Sequence, residues 1–318
     1  MSHFNSPPFP HRSRTKSSTP LLVSHLFYPL LLGATLALFY ASLRHGWDLA
    51  TVFAGMAGAR LVVLLAVEFG YPAKPEWKMN WPSFKRDLKY MAVNGVATGA
   101  LKLGVGWLAL DWSRLNTGIV TNTSFWLEFV AVVLVFEFVQ YWYHRWSHEG
   151  TGRMGAWLWK VHLAHHLPDK VYLLMHPVGH PLDLLRALAM VNLPLVVLGA
   201  RSESIFLYNA LMGLQGLVSH FNVDIKAGPF NYLLVGTELH RFHHSADLRE
   251  AKNFGVLTPF WDLVFGTFFY DPKRLPATLG VAAPEHYPQS DALGQVLALP
   301  FSRSATTPWA QDDAQSEP

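Results

Sequence analysis

The sequence predicts an all-α integral membrane protein with four or more transmembrane helices. Apolar residues make up 51% of the 318 residues and charged residues only 15%, a balance too apolar for a soluble domain. Several apolar runs approach the roughly 20 residues that a helix needs to cross a bilayer. Histidines recur three and four residues apart after these runs, the spacing of one helix face.

The first element, residues 1 to 20, is a basic tail rich in Ser and Pro and without acidic residues. This composition predicts disorder. A cleavable signal peptide is disfavoured, because the tail is long and the next apolar run has the length of a span. The net charge of +3 does not indicate nucleic acid, because the basic residues lie in short segments between apolar runs. Anionic lipid headgroups are the expected partner there.

The second element, residues 21 to 143, contains four predicted spans, at about 21 to 43, 50 to 70, 90 to 110 and 124 to 143. The second span is interrupted by Arg60 and Glu68, and an ionisable side chain at bilayer depth needs a partner. Basic residues concentrate in the loop at 71 to 90. The positive-inside rule therefore predicts a cytosolic N-terminus and cytosolic residues from 144 onward.

Residues 144 to 270 form the histidine-rich region. Within it, two apolar runs at about 182 to 199 and 203 to 219 could form an additional membrane hairpin over 182 to 219. In either case the chain returns to the cytosolic face by residue 220. Residues 271 to 318 are Pro-rich and end acidic, which predicts a mostly extended tail.

Metal chemistry is indicated by the histidines. The chain has no cysteine, which excludes iron-sulfur clusters and thiolate-ligated haem, so a metal would be held by His, Asp or Glu. Most of the 16 histidines lie between 144 and 244, in HRWSH at 144 to 148, HLAHH at 162 to 166 and HRFHH at 240 to 244. Chance predicts roughly 0.04 occurrences of HxxHH at this histidine content, and two are present.

The spacing within these boxes has a physical reason. Residues three or four apart share one helix face, so His144 and His148 can bind one ion. The adjacent pair in HxxHH diverges by about 100° on a helix, so one box can serve two neighbouring metals. The predicted ligands are His144, His148, His162, His165, His166, His240, His243 and His244. Divided between two ions, eight imidazoles leave open coordination positions, which O2 activation requires.

Three further histidines lie outside the boxes. His220 and His180 are predicted ligands, because they follow or precede an apolar run on the same membrane face. His176 is left open, since an isolated histidine is more often packed or hydrogen-bonded than a ligand. Metal identity stays open at this point, because imidazole suits Zn, Cu, Fe and Ni alike.

Carboxylates near the boxes are candidates for support. Glu137 lies within the fourth predicted span on one helical stripe with Tyr141 and His144, and an intramembrane carboxylate indicates a functional role. Acidic residues that could fix imidazole tautomers are Glu149, Asp169, Asp183, Glu238 and Asp247.

The three boxes, with NFG at 253 to 255 and WDLVFGT at 261 to 267, resemble the fatty acid hydroxylase and sterol desaturase superfamily over about residues 130 to 270. The resemblance implies a cytosolic helical cap that holds two irons. It also implies an oxidoreductase that uses O2 to hydroxylate or desaturate a lipid or sterol C–H bond, with no catalytic residue beyond the metal ligands. Electrons would come from a separate donor of cytochrome b5 or ferredoxin type. The chain departs from the pattern at Gln215, where some members have another histidine.

Two other classes stay open. A membrane metal-binding or transport protein can be His-rich, but its ligands would lie inside the spans near the midplane. A zinc-dependent hydrolase usually has HExxH or a three-ligand site, and HExxH is absent. A bis-histidine haem carrier would not need eight boxed histidines.

Overall fold

The computed structural model describes residues 19–112 and 123–302, without the side chains of 100–112 and 191–198. The predicted disordered tail lies almost wholly outside the described residues. The helices are α1 Leu21–His45, α2 Leu49–Gly70, α3 Trp81–Trp112, α4 Phe125–Glu149, α5 Gly152–His166, α6 Pro181–Leu198, α7 Ser202–Ser219, α8 Thr237–His243, α9 Phe260–Phe265 and α10 Leu293–Ala298. Over these ranges β pairing is limited to two isolated bridges, so the predicted helical class is confirmed.

Three helices among the described residues, α1, α2 and α4, are long and apolar enough to cross a membrane. Their outward faces carry exposed apolar side chains such as Leu22, Val62 and Leu127, as expected of surfaces that contact lipid. The predicted span at 90 to 110 forms part of α3, which does not meet the same criterion within the described residues. A fourth crossing stays a prediction, as does a hairpin formed by α6 and α7.

Arg60 has its partners at the contact between α2 and α7. Its guanidinium donates to the carbonyl of Ala210 at 2.8 Å and to the hydroxyl of Thr35 at 2.5 Å. The Ala210 carbonyl lies within α7, so this hydrogen bond joins α2 to α7. It also pairs a charged side chain that would otherwise have no partner at this depth. The charge that interrupts the second predicted span is thus a packing contact.

Glu68 joins two loops near the end of α2. Its carboxylate accepts the backbone N–H of Leu173 at 2.9 Å and that of Asn222 at 2.8 Å. The first loop leads to His176 and the second follows His220. One carboxylate therefore holds together the two segments that carry these histidines.

A tight turn joins α4 to α5 and presses the two helices together. A Cβ atom on Gly155 would lie 2.2 Å from the carbonyl of Gly150, and one on Gly150 would lie 2.4 Å from the carbonyl of Trp146. No side chain fits at these distances. The glycines thus allow α5 to fold back so closely that the first box on α4 faces the second box on α5.

Residues 271 to 302 of the predicted tail pack against α3 and α5 and do not form an extended tail. Residues 303 to 318 of that tail lie outside the described residues. Tyr287, Val296 and Leu299 are buried in one apolar cluster with Trp159 of α5. The indole N–H of Trp159 donates to the Tyr287 hydroxyl at 3.3 Å. The apolar residues in this Pro-rich stretch are too widely spaced to show a helical period, which is why the sequence did not indicate the packing.

Replacing Gly155 with Ala is expected to destabilise the protein by about 1–3 kcal/mol, because the new methyl group must displace the Gly150 backbone. Thermal unfolding in detergent, followed by circular dichroism, measures the change. The matched control is Gly58→Ala on α2, where the added Cβ meets nothing within 4 Å. Equal melting temperatures for the two variants would show that the α4–α5 turn tolerates a side chain.

Candidate metal centre

Nine histidines converge in two adjacent groups. The first group is His144, His148, His162, His166 and His243, and the second group is His165, His220, His240 and His244. Within each group, the nitrogen atoms offered by the residues lie within 4.8 Å of one another. The first group is buried throughout, and His165 and His240 of the second are partly accessible. All eight boxed histidines belong to one group or the other.

Adjacent histidines separate as their helical positions require. His165 belongs to the second group while His166 belongs to the first, and His243 and His244 divide in the same way. The side chains of neighbouring residues on a helix point about 100° apart, so α5 and the end of α8 each serve both groups. The stacked rings of His166 and His244, with centroids 4.4 Å apart, lie where the groups meet.

The hydrogen bonds of the Nδ1 atoms determine the tautomers. The Nδ1–H groups donate to backbone carbonyls: His144 to Phe254 at 2.8 Å, His243 to Lys252 at 2.9 Å, His165 to Val178 at 2.9 Å and His220 to Gly216 at 3.2 Å. A carbonyl oxygen can only accept, so each Nδ1 carries the proton. The Nε2 atom of each of these neutral rings is left with a bare lone pair.

These lone pairs point toward one another. In the first group, Nε2 of His162 lies 3.1 Å from Nε2 of His144 and 3.0 Å from that of His166. In the second group, Nε2 of His220 lies 3.0 to 3.2 Å from those of His165, His240 and His244. These contacts cannot be hydrogen bonds where both nitrogens lack a proton. A cation between the rings would satisfy the lone pairs of each group.

Unpaired buried atoms point to the same conclusion. Nε2 of His148 and Nε2 of His243 are buried and have no hydrogen-bond partner among the described residues. Burial, followed by the neighbouring imidazoles, holds the pKa of His166, His243 and His244 well below its ordinary range. Burial likewise lowers the pKa of His165 to about 4. The rings are therefore neutral near pH 7, the form in which imidazole binds a metal. The residues present fit two metal ions.

Asp183 orients one ring of the first group. Its carboxylate accepts from Nδ1 of His162 at 2.8 Å and from the Arg186 guanidinium at 2.6 Å. Tyr143 donates its hydroxyl to the same carboxylate at 3.0 Å, and Arg186 lies 3.6 Å above the Tyr143 ring. A carboxylate on the far nitrogen fixes the tautomer and makes the imidazole a stronger ligand. Among the acidic residues proposed as tautomer partners, Asp183 has this contact.

The other acidic candidates act elsewhere. Glu149 forms ion pairs with Arg145 and with Lys252, both at 2.6 to 2.7 Å. Since the Lys252 carbonyl accepts a hydrogen bond from the Nδ1–H group of His243, Glu149 supports that ring through the backbone. Glu238 accepts from Ala227 and Asn231, and Asp247 pairs with Arg249, away from the rings. Asp169 is exposed.

Glu137 holds a loop in place. One of its carboxylate oxygens accepts the backbone N–H groups of Val256, Leu257 and Thr258 at 3.0, 3.1 and 3.2 Å. Tyr141 lies one turn further along α4, and its hydroxyl bonds to that of Thr267 at 2.9 Å. Glu137 therefore reaches the metal centre indirectly, through the loop whose Phe254 carbonyl accepts from His144.

Asp262 supports the same loop from the other side and was missed from the sequence. It accepts the N–H groups of Phe254 and Gly255 at 2.7 Å each, and the hydroxyl of Thr267 at 2.7 Å. The signal was present, because Asp262 lies in the WDLVFGT motif next to NFG. The role was hidden because an isolated acidic residue is more often a solvated surface charge than a buried acceptor.

The two predicted ligands outside the boxes differ in their position relative to the two groups. His220 joins the second group, as the sequence led us to expect. His180 joins neither group: its Nδ1 accepts from Leu182 at 3.0 Å and its Nε2 lies 3.2 Å from the Leu297 carbonyl. Since Nδ1 accepts there, Nε2 is the protonated atom, and both nitrogens are engaged. We therefore leave His180 out of the proposed ligand set.

A cavity of about 470 Å³ opens onto both groups. It is lined by His144 and His162 of the first group and by His165, His220 and His240 of the second. Its remaining walls are largely apolar, from α2, α6 and α7, and include Phe53, Leu184 and Met212. A long apolar molecule placed there would reach both candidate metal positions.

The sequence of this chain matches known families. A family model described as fatty acid hydroxylase matches residues 129–267, the region in which the resemblance was found. The chain is 27% identical over 291 residues to the ornithine lipid hydroxylase OlsE of Rhizobium tropici, covering 88% of this chain and 85% of that protein. The three boxes and both trailing motifs lie within the matched region.

Plant proteins are also similar. A methylsterol monooxygenase of Arabidopsis thaliana is 22% identical over 188 residues, 58% of this chain and 61% of that protein. A very-long-chain aldehyde decarbonylase of Oryza sativa is 26% identical over 214 residues, 64% of this chain and 77% of that protein. No solved structure matches the chain.

Replacing Asp183 with Asn is expected to weaken metal binding in the first group about 10- to 100-fold, because His162 loses its charged partner. Competition of the purified protein with a metal chelator measures the affinity. Asp169→Asn is the matched control, since Asp169 is an exposed carboxylate in the loop that follows α5. A chelator profile of Asp183→Asn that overlays the wild type would remove Asp183 from the support of the site.

Replacing Glu137 with Ala is expected to lower the affinity of the first group by about 10- to 100-fold, because three N–H groups lose their acceptor and the loop that orients His144 relaxes. Glu137→Gln keeps an acceptor oxygen without the charge and should fall between Ala and wild type. The same chelator competition measures this, with the exposed Glu285→Ala as control. Undiminished affinity in Glu137→Ala would mean that the loop holds its shape alone.

Proposed function

This chain belongs to the fatty acid hydroxylase superfamily, and on that premise we propose that it is a membrane non-haem diiron oxygenase. It would use O2 to hydroxylate or desaturate a C–H bond of a lipid or sterol. The observation that carries the proposal is the pair of convergent imidazole groups that open onto one largely apolar cavity. Two adjacent metal positions beside an apolar cavity suit the oxidation of an unactivated carbon.

The proposed ligands follow the two groups. One iron would be held by His144, His148, His162, His166 and His243, and the other by His165, His220, His240 and His244. When bound, a pair of irons supplies O2 activation and removal of hydrogen from the substrate. Iron accepts neutral imidazole readily, and the resemblance of the chain to its superfamily favours iron over the other metals that imidazole suits.

The residues of the chain would position the substrate and exclude water. The apolar walls from α2, α6 and α7 would hold an acyl chain or a sterol ring system with one carbon beside the two groups. The Asp183–Arg186 pair forms the polar part of the wall next to His162. We assign no separate general base to the chain, because removal of hydrogen from the substrate would be chemistry that the metal pair supplies when bound.

The two other classes fit these groups less well. A transporter needs ligands that release the ion along a path, whereas the five histidines of the first group are buried and their Nδ1 atoms are tied to the backbone or to Asp183 where these bonds are described. A zinc hydrolase uses three protein ligands and an open position. Nine imidazoles exceed that requirement threefold.

The substrate class follows from the relatives, whose names specify a lipid hydroxylase and a sterol monooxygenase. We place the N-terminus and the metal centre on the cytosolic face, because the segment 71 to 90 is basic whereas 111 to 123 contains a single basic residue. Electrons would come from a separate protein of cytochrome b5 or ferredoxin type, docking on that face.

Metal analysis tests the proposal directly. Purified wild type, produced with iron supplied during growth, is expected to contain about two irons per chain, and His165→Ala at most one, because Nε2 of His165 lies 3.1 and 3.2 Å from those of His220 and His244 in the second group. Plasma mass spectrometry measures the content. His180→Ala is the matched control and should keep both irons, since His180 lies outside both groups.

The proposed reaction is tested by analysing the lipid products. Membranes that contain the wild type, incubated with a lipid extract, a reductant and isotopically labelled O2, are expected to yield lipids that carry the labelled oxygen or have lost two hydrogens. Mass spectrometry detects both products, and His165→Ala should yield neither. Stoichiometric zinc without oxidised lipid would instead support the hydrolase.

A further inference from the structure

The two groups differ by one imidazole: the first has five histidines and the second has four. On α7, the residue one turn before His220 is Gly216, which has no side chain to offer. Residues four apart share a helix face, so a side chain at 216 would point toward the same ion as His220. The second group therefore lacks a ligand at the place where the helix could supply one.

The space above Gly216 is filled by another histidine. A Cβ atom on Gly216 would lie 2.7 Å from Cε1 and 2.8 Å from Nε2 of His176. The imidazole of His176 thus occupies the volume that a residue-216 side chain would need, and it requires glycine there. The two ring centroids of His176 and His220 are 5.2 Å apart.

The ring of His176 is free to bind an ion. The side chain of His176 is exposed, and it lines the cavity that His165, His220 and His240 also line. Within the described part of the chain its ring nitrogens make no hydrogen bond, in contrast to those of His180. Its backbone is fixed, because Glu68 ties the loop at Leu173 to the residue that follows Phe221.

We propose that His176 is the fifth imidazole ligand of the second group, supplied by a loop in place of a helical residue at position 216. This inference rests on the proposed function and specifies its ligand set. Each ion would then be held by five histidines. The alternative role of His176 is a wall of the substrate cavity with no contact to metal.

The test measures metal affinity and coordination, which a wall residue would not change. Purified proteins are loaded with cobalt(II), titrated with a chelator and followed by visible absorption. His176→Ala is expected to release the second ion at a chelator concentration at least about tenfold lower than wild type, since even the loss of an outer partner costs that much. The first ion should be released as in wild type, and the cobalt spectrum of the second should change.

A compensating variant makes the test specific. His176→Ala combined with Gly216→His returns an imidazole to the vacated space from the helix and should restore the second affinity. The matched control combines His176→Ala with Gly213→His, which lies on the same helix and cavity wall but not one turn from His220. Gly216→Ala alone keeps His176 but displaces its ring, so it should also lower the affinity of the second group for its ion.

The outcomes separate the two proposals. Restoration by Gly216→His and not by Gly213→His supports the assignment. Two ions in His176→Ala, with wild-type affinities and cobalt spectrum, would overturn the assignment and leave the diiron proposal standing. Equal rescue at both glycines would also overturn it. A wild type that binds no metal would overturn both proposals together.

Discussion

The rest of the structure depends on the imidazole Nε2 lone pairs that face one another without a hydrogen-bond donor between them. Backbone carbonyls and one carboxylate accept hydrogen bonds from the Nδ1–H groups of five of the nine rings, which leaves the Nε2 atoms of those rings bare. In each group two of these bare atoms face each other at 3.1 Å, those of His144 and His162 in the first and those of His165 and His220 in the second. Lone pairs at that distance repel, so the arrangement is favourable only around cations. The surrounding helices and loops hold the rings in this otherwise unfavourable geometry, so binding of the proposed metals would be linked to folding in this part of the chain.

Three buried carboxylates hold the supporting loops by accepting hydrogen bonds from their backbone N–H groups. Glu68, Glu137 and Asp262 each accept two or more backbone N–H groups from irregular segments beside the rings. Irregular backbone near a membrane has N–H groups that cannot pair within a helix, and a buried carboxylate satisfies several at once. Acidic residues in otherwise apolar helices thus give the loops defined shapes, and the loops in turn fix the imidazole tautomers.

Local spacing was predictable and loop geometry was not. The three- and four-residue intervals identified the eight boxed histidines and the divergence of the adjacent pairs, because both follow from helical geometry alone. The sequence predicted His180 as a ligand and left His176 open, but the role of each depends on whether a carbonyl faces its ring, as that of Leu297 faces His180. Glu137 was recognised by its position inside a span, yet its backbone partners lie some 120 residues away. The packing of residues 271 to 302 was hidden by their sparse apolar residues.

The turn between α4 and α5 has a consequence for biosynthesis. Four of the five histidines of the first group lie between 144 and 166, on the two helices that this turn presses together, whereas the second group draws most of its ligands from 220 to 244. As the chain leaves the ribosome, four of the five histidines of the first group are therefore synthesised before most of the second group. Under the proposed function, one ion would be able to bind to the nascent helical hairpin, whereas the other would need the rest of the fold.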